Sequence, residues 1–180
     1  VYLAAHYSRI ENNEIYNNGS RGIHNQVDTK GCIMNQNLVF NNASNGAYIT
    51  NESYSTTGMF LSSNTFCNNG SYDFLLEAHA GAKFQIQVVN NIFFSPNLMP
   101  CIIQNATVTS GFNCSSSFPP EGASNIEAVP DFARPTLTAG NIGETTLYDW
   151  TMKATSKTIN AGDTVSIPGQ LAFDFAGNPR

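Results

Sequence analysis

Charge is what this chain has least of: 8 Lys plus Arg against 13 Asp plus Glu, 12% of 180 residues and a net charge of −5. So few cations exclude a basic patch able to neutralise nucleic-acid phosphates, and nucleic acid is not expected as a partner. Long apolar runs are missing too, none approaching the roughly 18 residues that a membrane-spanning helix needs. The four cysteines, Cys32, Cys67, Cys101 and Cys114, form no Cys-x-x-Cys pair and no Cys/His zinc spacing, which argues against a zinc site. Val1-Tyr2-Leu3-Ala4-Ala5 lacks an initiator methionine, a basic n-region and a cleavable apolar segment, so the chain is expected to be an internal piece of something longer.

What is present is a repeat. Asn13-Glu14-Ile15-Tyr16-Asn17-Asn18-Gly19 returns as Asn37-Leu38-Val39-Phe40-Asn41-Asn42, Asn64-Thr65-Phe66-Cys67-Asn68-Asn69 and Asn91-Ile92-Phe93-Phe94, at spacings of 24, 27 and 27 residues. A period between 20 and 50 residues signifies stacked, solenoid-type architecture. With the first Asn of each copy as origin, the columns agree. Apolar residues occupy the position three before it (Ile10, Met34, Leu61, Val88), two after (Ile15, Val39, Phe66, Phe93) and ten after (Ile23, Ala47, Phe74, Cys101). Alternation at period two within short segments marks strands with one inward face, and the Asn and Gly between them mark turns. Three short strands per repeat cannot close a core alone, but identical rungs about 4.8 Å apart can.

The expected fold is therefore all-β, a right-handed parallel β-helix of at least four rungs over residues 1–114, with a capping or wrapping segment over 115–180. The origin Asn is expected both to take the left-handed corner and to bond its amide to the next rung. A second column, Asn18, Asn42 and Asn69, is interrupted by Pro96. The Asn-x-Ser/Thr triplets at Asn18, Asn42 and Asn69 then belong to the repeat and not to glycosylation.

The run I-x-x-N-x-I-x-N-N-G followed by G-I resembles the parallel β-helix repeat of pectate-lyase-like proteins over about residues 5 to 115. Val129-Pro130-Asp131-Phe132, Ser156-Lys157-Thr158-Ile159-Asn160-Ala161-Gly162 and Asp174 to Arg180 resemble the tail of bacterial secreted, surface-anchored β-helix proteins. That resemblance implies an extracellular or cell-surface protein that binds or processes polysaccharide, as a uronic-acid lyase or epimerase, with calcium as the cofactor the family suggests. Its rival is a non-catalytic adhesin or structural surface module.

In the resembled fold the strand after the Asn-Asn-Gly loop carries the substrate groove. Its outward columns would be His24, Tyr48, Leu75 and Ile102, then Gln26, Thr50, Glu77 and Gln104, with Asp28, Lys30, Glu52, His79 and Lys83 in the next loops and Arg21 just before the strand. Abstracting a proton beside a uronate needs a cation on the carboxylate, a base, and an acid at the leaving oxygen. Arg21 or Lys83 suits the first role, His24 the second and Tyr48 the third, with Glu77 and His79 beside them. Against this, half of a solenoid's outward residues are polar anyway, Leu75 and Ile102 continue the column, and no Asp-rich calcium cluster is visible. A further outward column, Tyr16, Phe40, Cys67 and Phe94, either stacks on sugar rings or is covered by the tail, and coverage is expected. Cys32 and Cys101 fall in inward columns as small hydrophobes, while Cys67 and Cys114 stay open.

Overall fold

The computed structural model describes residues 1–26, 29–51, 56–79, 84–95, 99–117, 120–122, 124–136, 138–143, 148–159 and 161–162. Short β-branched and aromatic segments separated by Asn and Gly build three parallel sheets. Sheet A takes Tyr2–Leu3, Ile23–Asn25, Ala47–Asn51, Phe74–Ala78 and Cys101–Gln104. Sheet B takes Arg9–Glu11, Ile33–Asn35, Thr56–Ser62, Phe84–Val89 and Thr107–Gly111. Sheet C takes Glu14–Tyr16, Leu38–Phe40, Thr65–Cys67, Ile92–Phe94, Cys114–Ser115 and Ile126–Glu127. The chain visits B, C and A in turn, so each strand pairs with its equivalent one rung away, as in a parallel β-helix.

Register follows the sequence columns. Ile10 lies beside Met34, Met34 beside Leu61 and Leu61 beside Val88, while Val39, Phe66 and Phe93 align on sheet C. These inward residues are buried and form one continuous core, in which the Phe66 and Phe93 rings stack at 5.6 Å between centroids. Each such side chain contributes roughly 1.5 to 3 kcal/mol on burial.

At the corner between sheets B and C the asparagines form a ladder. The backbone N–H and Nδ2 of Asn37 both donate to Oδ1 of Asn64, at 3.0 and 2.9 Å. Asn64 does the same to Asn91, Asn91 to Asn113, and Asn113 to Asn125. The second amide hydrogen of Asn64 goes back to the Met34 carbonyl at 2.9 Å, so every polar atom of this buried side chain is satisfied. The left-handed conformation, however, falls on the residue before each ladder asparagine: Asn12, Gln36, Ser63, Asn90, Phe112 and Ser124 have φ between 55° and 58°. The expectation that one residue both turns the corner and carries the ladder is corrected accordingly. The preceding residue bends the chain, which aims the following amide along the stack.

The Asn-Asn doublets repeat this division of labour. Asn17, Asn41 and Asn68 are left-handed, and Asn18, Asn42 and Asn69 form a second ladder, Asn42 Nδ2 reaching Asn69 Oδ1 at 2.9 Å. This ladder ends on a carboxylate: Asn69 donates from N–H and Nδ2 to Oδ1 of Asp73, at 3.0 and 2.8 Å. Pro96 lies outside the described residues.

The bending asparagines serve the later part of the chain. Asn41 Nδ2 donates to the carbonyls of Thr138 and Gly140, Asn68 Nδ2 bonds to Thr136, and Asn17 Nδ2 bonds to the carbonyl of Gly143. The antiparallel pair Phe132–Arg134 and Asp149–Met152 sets Phe132 and Trp150 against Phe40, Cys67 and Phe94, all buried. Tyr16 stacks on Phe40 at 4.9 Å and remains partly open. The aromatic stripe on the outside of sheet C is thus covered. All four cysteines are free and buried.

Candidate functional site

With sheet C covered, sheet A presents its outer face. Its central column is in register, Tyr2 beside His24, His24 beside Tyr48, Tyr48 beside Leu75 and Leu75 beside Ile102. Strand spacing near 4.8 Å sets flat side chains of one column face to face. The His24 and Tyr48 rings accordingly stack at 5.4 Å with 14° between planes, and Tyr2 meets His24 edge-on at 5.3 Å.

Arg21 and Glu77 close on this pair from either side. Arg21 sits two residues before the Ile23–Asn25 strand, its guanidinium carbon 4.4 Å from the centre of the Tyr48 ring. Its Nη1 lies 3.4 Å from His24 Nε2, and because arginine can only donate, Nε2 is the acceptor. Tyr48 donates its hydroxyl to Glu77 Oε2 at 2.9 Å. Burial first, then the Arg21 charge, holds the His24 pKa below the ordinary histidine value, which favours neutral imidazole at pH 7. Burial, then the hydrogen bond to Glu77, raises that of Tyr48 and keeps its proton on. One face therefore joins a cation, a neutral imidazole, a protonated phenol and a carboxylate.

The family model described as a right handed beta helix region matches residues 1–93, just over half of the chain. The chain belongs to this family. Neither the curated proteins nor the solved structures compared with it give a match.

Within this β-helix protein, four of the six residues singled out from sequence, Arg21, His24, Tyr48 and Glu77, come together. His79 follows the Phe74–Ala78 strand and is exposed, while Lys83, like Asp28 and Glu52, lies outside the described residues. Thr50 aligns with Glu77 and Gln104 as expected but is only 3% exposed, so it lends the face no accessible hydroxyl. Tyr2 escaped the sequence reading because it stands 22 residues before His24, short of the 24-residue period. Calcium prefers six to eight oxygen ligands. Among the described residues no group of three or more His, Cys, Asp or Glu is placed to hold a metal, and Glu77 is engaged by Tyr48, so these residues do not fit a calcium site. No helix among the described residues is long and apolar enough to cross a membrane.

Proposed function

We propose that this β-helix protein works at the cell surface or outside the cell and processes an acidic polysaccharide on the outer face of sheet A, by proton abstraction beside a uronate carboxyl. The observation that carries the reading is the convergence of Arg21, His24, Tyr48 and Glu77, with both rings half-buried on the outer face and a cation in reach. Arg21 turns from the Tyr48 ring to the uronate carboxylate and stabilises the charge that develops as the adjacent C–H is broken. His24 Nε2, freed from Arg21, takes that proton. In an elimination the C–H electron pair becomes the new C=C bond, the glycosidic C–O bond breaks, and its oxygen takes the Tyr48 proton. In an epimerisation the carbanion is reprotonated from the opposite face. Glu77 holds the Tyr48 hydroxyl in place until then.

The rival, a non-catalytic surface module, draws on Leu75 and Ile102, which turn the same column apolar two rungs on. Turnover of pectate, alginate and glycosaminoglycans by the purified chain, followed by unsaturated-uronate absorbance with and without calcium, tests the elimination. The expected result is a signal that falls by roughly 10²-fold or more in His24→Ala and Tyr48→Phe, the usual scale of an acid or base. No turnover of any of these polymers, or turnover unaffected by both substitutions, would count against the elimination.

A further inference from the structure

Sheet B carries a concave surface. A groove of about 680 Å³ runs over Gly58, Phe60, Gln85, Gln87, Thr107 and Thr109, and no acidic or basic side chain is among its described lining residues. It begins at a bulge. Gln85 pairs with Thr57 and Ile86 with Met59, so Gly58 has no partner on the Phe84–Val89 strand, and its φ of 65° is a conformation that favours glycine.

The rung before shows what such a position accommodates. Lys30 lies beside Thr57 and Ile33 beside Phe60, which makes Gly31 the equivalent of Gly58. The ring of Tyr7 covers Gly31 so closely that a Cβ there would stand 2.7 Å from a ring carbon. At Gly58 a Cβ would meet, among the described residues, only the backbone of Gly31, at 3.7 and 3.8 Å. One glycine seats a six-membered ring, and the next offers the same seat open.

Around that seat the polar groups are of one kind. Phe60, Gln87 and Thr109 align in one column and Thr57, Gln85 and Thr107 in the next, with both glutamines and both outer threonines exposed. Carboxamides and hydroxyls donate and accept alike, as sugar hydroxyls do, and rungs about 4.8 Å apart repeat at close to the length of one pyranose. Among the described lining residues a uronate or a phosphate would find no counter-charge, the exposed Lys30 standing one rung away beside Thr57.

We propose that this groove is a binding site for a neutral oligosaccharide, one pyranose lying over Gly58 and the edge of Phe60 while Gln85, Gln87, Thr107 and Thr109 hold hydroxyls of that ring and its neighbours. The site does not depend on uronate chemistry at sheet A. It is tested by titrating neutral β-linked tetrasaccharides of glucose, mannose and N-acetylglucosamine, with tetragalacturonate as the charged comparison, into the full chain. The readout is the side-chain amide NMR signals of Gln85 and Gln87. The expected result is a saturable shift with at least one neutral sugar, weakened roughly tenfold or more by Gln87→Ala with Thr109→Ala at unchanged melting temperature, and retained in His24→Ala. Gln85→Ala alone should weaken it as well, should the double variant fold poorly. No shift with any neutral sugar at millimolar concentration, a stronger shift with tetragalacturonate, or a shift untouched by the glutamine substitutions would overturn the proposal.

Discussion

Asp73 is the residue at which the second asparagine ladder stops, and its chemistry differs from that of the amides above it. Its Oδ1 takes both hydrogen bonds from Asn69, but these and the Phe94 backbone only partly offset its complete burial, which pushes its pKa up to about 8. Above the ordinary value of 3.8 the unfolded chain has released a proton that the folded chain still holds. Stability is therefore greatest below that value and is lost as pH rises toward about 8. Asp73→Asn keeps the acceptor for Asn69 and removes the titration, so thermal melts of the variant should show a flatter pH profile and a gain at the alkaline end. A profile that keeps its slope would mean that the pH dependence comes from another group. Asn64 is the opposite case, a side chain with every polar atom paired. Asn64→Ala orphans the two donors of Asn37 and the Met34 carbonyl, and should cost about 1 to 3 kcal/mol per buried group left unpaired, measured by denaturant unfolding.

At the scale of elements, the sheets were readable because rungs repeat: counting from one asparagine places Ile10, Met34, Leu61 and Val88 in one column whatever lies between. Phe66 lies in the inward column of sheet C, between Val39 and Phe93 on the adjacent rungs and against the Phe74 ring. Phe66→Ala should cost about 3 to 5 kcal/mol by leaving a cavity that flanking rungs cannot close, seen as a lower denaturant midpoint. Features that do not repeat were not readable in this way. Asp73 ends the second ladder from only four residues beyond Asn69, a local contact that a rung-spaced comparison passes over. The Gly58 bulge shifts register within one strand pair, and Tyr2 sits on a shorter turn. Arg21, His24, Tyr48 and Glu77 were placed on one face by column counting, but the Arg21 contacts and the Tyr48–Glu77 bond depend on side-chain rotamers that no period encodes. Cover of the sheet C stripe followed from its aromatics needing burial, whereas the residues supplying it, Phe132 and Trp150, sit outside the repeat. Trp150→Ala should open the segment beyond residue 128 to proteolysis before the rungs themselves yield, because its ring packs on Phe40 and Phe132.

Taken whole, the molecule is a three-sided stack in which each side has a different chemical character. Sheet C is covered by the chain's own later strands, sheet B offers a groove whose described lining is uncharged, and sheet A gathers a cluster that joins a cation to acid and base groups. A net charge of −5 repels an acidic polymer at long range, so recognition there must come from a local cation, and among the described residues Arg21 contacts both rings. The most direct measurement is a titration of tetragalacturonate into the native chain and into Arg21→Gln, following the His24 imidazole signals by NMR. A saturable His24 shift whose affinity drops roughly tenfold or more in the variant, as expected for a lost hydrogen bond to a charged group, is the predicted result. A His24 signal that does not move, or an affinity the same in both proteins, would contradict it.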